Sequence, residues 1–227
     1  MSQPMHFNVD ETALYCQLLP GKTLALARDM CTRGKHSKVC ITVLVGANMN
    51  RTEKLKLLVI DKAKSPRCFK NTKTLPLSYA WNSKAWMTQA VFKQWLREMD
   101  CHFVRQERSV LFLVDNCPGH GKVNGLSAIR LKFLPPNTTA KLQPMDQGVI
   151  SSLKRHYRRA LLQRMLLCME NSKEYSVNLL SSIHLLSRAW DLVIEKTIAN
   201  CFRHAGFVRQ PSTPHLFSDD NDENDIS

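Results

Sequence analysis

Residues 110–120 read Val-Leu-Phe-Leu-Val-Asp-Asn-Cys-Pro-Gly-His. Val110–Val114 is the most apolar short run in the chain, a pattern expected of a strand buried on both faces near the centre of a sheet. It ends on Asp115 and breaks at once into turn-forming residues. A carboxylate at the end of a buried strand is costly unless it meets a cation or a metal ion. A single Asp in that position is, however, commonly just a turn or helix cap.

Upstream, Thr88 is placed to cap a helix in which Val91, Phe92, Trp95, Leu96 and Met99 share one face. Before it, residues 61–86 read as an irregular excursion. Val39–Val45 and Lys54–Ile60 read as a strand and its return around Gly46–Asn50. Residues 7–14 read as an opening strand that carries Asp10. Alternation sends Asp10 and Glu11 to opposite faces, so one of the two is expected at a cleft. Downstream, Leu131–Leu134 reads as another strand, stopped by Pro135-Pro136. A long helix is expected from about Pro144, with Asp146 in its first turn, where the helix dipole favours an anion and Gly148 leaves room. Val177–Phe207 is also helical in period. Strand, hairpin, helix, two strands and then helices describe a mixed α/β sheet.

Composition narrows the function classes. The 227 residues carry a formal net charge of +13, although the last ten include five acids and no base. Such a body attracts polyanions by counterion release, which makes nucleic acid the leading partner. The acidic tail has the composition of a disordered segment. No run of about eighteen apolar residues is present, so no membrane span is expected. The first residues do not have the pattern of a signal peptide. The eight cysteines contain no C-x-x-C pair, which argues against a zinc ribbon and for free thiols in a reducing compartment.

Motif neighbourhoods join the three aspartates. Asn8-Val9-Asp10-Glu11-Thr12-Ala13-Leu14 with Leu19-Pro20, and Lys38–Asn50 with Glu53-Lys54-Leu55, resemble the opening strands of the pogo/Tigger group of DDE transposases. Ser65–Asn71 and Lys84–Thr88 match as well. So do Leu113-Val114-Asp115-Asn116-Cys117-Pro118-Gly119-His120 and Phe133–Thr139 followed by Leu142–Ile150. The resemblance is dense from residue 7 to about 160 and thinner to Phe207.

It implies an RNase H-like mixed sheet flanked by helices with a small helical C-terminal extension. The corresponding layout is a core over 1–170, an extension over 171–210 and an acidic tail over 211–227. It further implies a triad of Asp10, Asp115 and Asp146 holding two Mg²⁺ or Mn²⁺ ions. That triad would hydrolyse a DNA strand and direct the freed 3′-hydroxyl onto target DNA in the nucleus. Asn116 and His120 fall at motif positions near the site, with an orienting or phosphate-contact role, although stabilising the turn would equally explain them.

Lys154, Arg155, Arg158 and Arg159 form the densest basic cluster and are expected to hold phosphates if their helix flanks the cleft, a solvated face being the plain alternative. Trp95 and Trp190 lie on apolar stripes and are expected in the core. The Leu and Met residues of 161–169 are expected in the core or at a subunit contact. Members of the group usually carry helix-turn-helix modules ahead of the core, and here Asp10 lies close to residue 1. A homodimer, or a protein that supplies site recognition, is therefore an expected partner beside DNA, with no small-molecule cofactor. The alternative is a domesticated DNA- or chromatin-binding protein without catalysis.

Overall fold

The structure is a computed structural model that describes residues 5–16, 40–173 and 175–207, apart from the side chain of Ala140. Leu19-Pro20, the start of Lys38–Asn50 and the acidic tail lie outside the described residues.

Six described strands form one mixed sheet. They are β1 (Met5–Tyr15), β2 (Cys40–Asn48), β3 (Leu58–Asp61), β4 (Ser78–Trp81), β5 (Val110–Val114) and β6 (Ile129–Phe133), in the order β4-β3-β2-β1-β5-β6. β2 lies antiparallel between β1 and β3, whereas β4 runs parallel to β3, β5 parallel to β1 and β6 parallel to β5. A three-stranded meander extended by parallel strands on the side of β1 is the RNase H-like arrangement.

Two cores explain the alternation in these strands. Phe7, Val9, Leu44, Phe112 and Val114 pack against Phe92, Trp95, Leu96 and Phe103 of α1 (Gln89–Arg105). On the other face, Leu14, Ile41, Val43 and Val45 meet Leu153, Tyr157 and Leu161 of α3 (Ile150–Glu170). α4 (Leu179–Asp191) and α5 (Glu195–His204) complete that second core through Ile183, Leu186, Trp190, Ile198 and Phe202. Thr88 caps α1 as expected, its side chain accepting from the Val91 N–H. Trp95 and Trp190 are buried, the latter donating its indole N–H to the Leu55 carbonyl at 2.9 Å.

Several expectations need correction. β5 has a neighbour on each side, but the middle of the sheet lies at β1 and β2. A parallel strand tolerates an apolar run at any position covered on both faces, so hydrophobicity did not single out the centre. The return strand begins only at Leu58, and Lys54 makes a lone bridge to Ala47. Lys54 is occupied elsewhere: its ammonium donates to the Trp190, Asp191 and Val193 carbonyls at 2.7, 3.1 and 3.0 Å, closing the end of α4. The excursion over 61–86 contains the edge strand β4. The long helix expected from about Pro144 opens with a π-helical turn (Met145–Val149) before α3, and a short α2 (Thr139–Leu142) precedes it. Of the apolar run 161–169, Leu161 is core, but Leu166, Leu167 and Met169 are more than half exposed.

Candidate active site

β1 and β5 bring the first two aspartates together by register. Their parallel pairing runs from Met5 opposite Val110 to Asn8 opposite Leu113. Continuing that offset sets Asp10 opposite Asp115. Both share the parity of Asn8 and Leu113, away from the α1 core. Asp10 is buried, and Asp115, just past the strand end, is partly exposed.

A buried amide pair brings the third. Asn8 Nδ2 donates to the Leu113 carbonyl at 3.0 Å and to Gln143 Oε1 at 2.9 Å, while Asn8 Oδ1 accepts from the Met145 N–H at 2.9 Å. Gln143 Nε2 in turn donates to the Val9 carbonyl at 3.2 Å. Both side chains have no solvent exposure. They tie the π-helical turn that carries Asp146 to the strand that carries Asp10. The turn also needs Gly148, whose φ of 146° is one that L side chains rarely adopt and whose missing Cβ would meet Cys201 Sγ at 3.2 Å. Asp146 is therefore exposed at the sheet end, on a turn rather than in a regular first helical turn.

The electrostatics follow from this crowding. Burial, then Asp146, then Glu11 push the Asp10 carboxyl up to about 8, with a smaller push from Asp115 and some relief from the Glu11 N–H. That N–H donates to Asp10 Oδ1 at 2.8 Å. Burial also acts to raise Asp115, but His120 and Cys117 outweigh it and hold Asp115 below the ordinary carboxylate range. Crowded carboxylates with one held protonated near neutral pH form a donor set suited to hard divalent cations, which would relieve the repulsion.

His120 lies beside Asp115, where its motif position put it. Its side chain is 1% exposed, with Nδ1 2.6 Å from Asp115 Oδ1 and Nε2 2.7 Å from Glu11 Oε1. Burial disfavours its charge, yet the two carboxylates raise its pKa to about 11. A ring enclosed in this way offers no face to a phosphate, which leaves the orienting and the turn-stabilising alternatives. Asn116 is exposed beside Asp115. Alternation does send Asp10 and Glu11 to opposite faces, but Glu11 still joins the cluster through His120. Together Glu11, Asp115, Cys117 and His120 place their ligand atoms within 4.8 Å of one another. Sequence reasoning passed over Asn8, Cys117 and Gln143, and weighed Glu11 only as the alternative to Asp10. The hint at Asn8 was a polar residue set between the apolar Phe7 and Val9.

The basic cluster meets the triad at Asp146. Lys154, Arg155, Arg158 and Arg159 line one open groove of about 650 Å³ with Asp146. Burial and the neighbouring Arg158 lower the Lys154 pKa, while Asp146 and Asp10 act to hold its charge. The groove thus starts at Asp146 and runs along α3 under positive charge.

The chain is similar to mouse Tigger transposable element-derived protein 4, with 43% identity over 201 residues. That alignment covers 88% of this chain and 39% of the mouse protein. It is 31% identical to human major centromere autoantigen B over 209 residues, covering 91% of this chain and 34% of that protein. The chain therefore spans less than half the length of these relatives. Among solved structures, a Mos1 transposase paired-end complex with left transposon end is similar at a TM-score of 0.40 and 14% identity, covering 88% of this chain and 56% of that one. The sequence model described as DDE superfamily endonuclease matches residues 38–202, a span that holds Asp115 and Asp146 but not Asp10. With most of its length inside that match, the chain belongs to the DDE superfamily endonucleases of the pogo/Tigger type.

Proposed function

We propose that this chain is the metal-dependent strand-cutting and strand-joining core of a Tigger-like transposase, acting on DNA in the nucleus. The observation that carries the reading is the meeting of Asp10, Asp115 and Asp146 at one end of the sheet, where the basic groove of α3 begins.

Asp10, Asp115 and Asp146 would hold two Mg²⁺ or Mn²⁺ ions. Bound there, such ions supply an activated nucleophile and neutralise charge on the leaving oxygen. The remaining work falls to the chain itself. Lys154, Arg155, Arg158 and Arg159 bind backbone phosphates and lay the strand along α3, so that a phosphodiester reaches the acids. The Asn8–Gln143 pair keeps Asp146 at a fixed place relative to Asp10. Asn116, exposed beside Asp115, is available to a phosphate oxygen. A second copy of the chain or another protein would be a partner on the DNA.

The test is nicking of supercoiled DNA with Mn²⁺ or Mg²⁺ by wild type and by Asp115→Asn. Metal-dependent nicking that disappears in the variant supports the reading, and equal behaviour of both proteins refutes it. The similarity to a major centromere autoantigen favours a second reading, a DNA-binding protein that keeps the fold without catalysis. In that case DNA binding would be metal-independent and unchanged by Asp115→Asn, with no nicking by either protein.

A further inference from the structure

His120 and Glu11 have no part in holding DNA or metal in the proposed function, yet both are drawn into the site. The His120 ring is enclosed: Nδ1 meets Asp115 Oδ1 at 2.6 Å, Nε2 meets Glu11 Oε1 at 2.7 Å, and its face lies 4.4 Å from the Phe92 ring centroid. Nδ1 also lies 3.3 Å from the Asp115 carbonyl oxygen. The turn beneath is tight. The His120 N–H donates to the Cys117 carbonyl at 3.0 Å, and a Cβ on Gly119 would come within 3.2 Å of the Met87 carbonyl oxygen. The ring therefore has its plane set by Phe92, its height set by the turn and its far end set by Glu11.

We infer that Glu11 and His120 form a positioning pair that aims the Asp115 carboxylate. Asp115 Oδ1 is buried against His120 Nδ1 at 2.6 Å, and that contact turns this oxygen inward. The part of the side chain that remains exposed then excludes Oδ1, leaving the rest of the carboxylate turned to the sheet end. Glu11 lies on the opposite face of β1 from Asp10, so it acts through the ring and does not enter the cleft. Outer partners of this kind fix the orientation of metal-holding groups and set their affinity. The inference rests on Asp115 being a metal-holding carboxylate, as proposed above.

Mn²⁺ binding to the full chain, followed by the electron paramagnetic resonance signal of free Mn²⁺, separates the two ideas. Folding of each variant is checked by circular dichroism. Asp115→Asn should abolish the site. His120→Ala should weaken it about 10–100-fold. His120→Asn, whose amide can still donate to Oδ1, should recover most of that loss. Glu11→Ala should weaken binding, and Glu11→Gln, which still accepts from Nε2, should not. Wild-type affinity in His120→Ala and Glu11→Ala, with the site abolished in Asp115→Asn, overturns the positioning pair and leaves the metal reading standing. Should His120→Ala unfold, Glu11→Ala against Glu11→Gln decides: equal affinities overturn the pair. Wild type that binds no Mn²⁺, or binds it as Asp115→Asn does, overturns the metal reading and the pair with it.

Discussion

Asp115 stands opposite Asp10, two residues beyond the last paired residues of β1 and β5. Parallel register partners point the same way, so the two carboxyls share the end of the sheet and Asp146 closes on them from the π-helical turn. In the metal-free protein this crowding has a stability consequence. The Asp10 carboxyl is raised to about 8 from 3.8. Its contribution is complete below about pH 4 and is progressively lost as pH rises to about 8, because over that range the unfolded chain ionises the group while the folded state keeps it protonated. Asp10→Asn should remove this loss. Thermal unfolding of metal-free protein should show the variant gaining on wild type between pH 5 and 8, by on the order of 2–4 kcal/mol at the upper end. Parallel pH profiles would mean that Asp10 is not crowded.

The Asn8–Gln143 clamp should matter more than an ordinary polar pair. Replacing Asn8 with Leu leaves the Met145 N–H and Gln143 Oε1 without their partners in a region closed to water. The expected cost is about 2–4 kcal/mol by urea unfolding. Because the same bonds seat the Asp146 turn, Mn²⁺ affinity should fall in any Asn8→Leu protein that remains folded.

Gly148→Ala should be strained for two separable reasons, an unfavourable φ and a close approach to Cys201 Sγ. About 1–3 kcal/mol of destabilisation is expected. Adding Cys201→Ala removes the second reason and leaves the first, so the double variant should regain only part of the loss. Full recovery of the melting temperature would show that the backbone conformation costs nothing there.

Asp100 joins α1 to the start of β6. Its carboxylate accepts from the Ser127, Ala128 and Ile129 N–H groups at 2.8–3.2 Å. Burial acts to raise the Asp100 pKa, but these three donors outweigh it and hold the carboxyl below its usual value. A depressed folded value gives stability that is present above the unfolded pKa and lost as pH falls through the folded one. Asp100→Ala should cost about 2–4 kcal/mol at pH 7. The gap from wild type should narrow on acidification, as read by denaturant titrations at pH 7 and pH 3.

Neutralising Arg155, Arg158 and Arg159 should weaken DNA binding without unfolding the protein, since all three side chains are exposed on α3. For every phosphate that the variant no longer neutralises, the dependence of log affinity on log salt should flatten by about 0.9 for duplex DNA. Fluorescence anisotropy at several salt concentrations measures this, and an unchanged slope would return the cluster to plain solvent.

Much of the fold was legible because burial writes itself into short segments. Val110–Val114, Val39–Val45 and the Phe92–Trp95–Leu96 stripe each declare their element through local periodicity, and Thr88 declares the start of α1. β4 was missed because an edge strand is half-exposed: Ser78 and Tyr79 carry no apolar alternation. The break at Met145–Val149 was missed because the residues around it have helical period, and the distortion answers to Asn8, which lies more than a hundred positions away.

By itself, the sequence determined which residues carry charge, which runs must be buried and which family the motifs resemble. Asp10, Asp115, Asp146 and the basic cluster are all visible at that level. Only the tertiary structure decided that Asp115 comes to rest between Asp10 and His120. Register is a relation between strands far apart in sequence, and a carboxylate's surroundings depend on what the remaining strands bring beside it. The same applies to Glu11, whose neighbour in sequence is Asp10 but whose partner in space is a histidine 109 residues away.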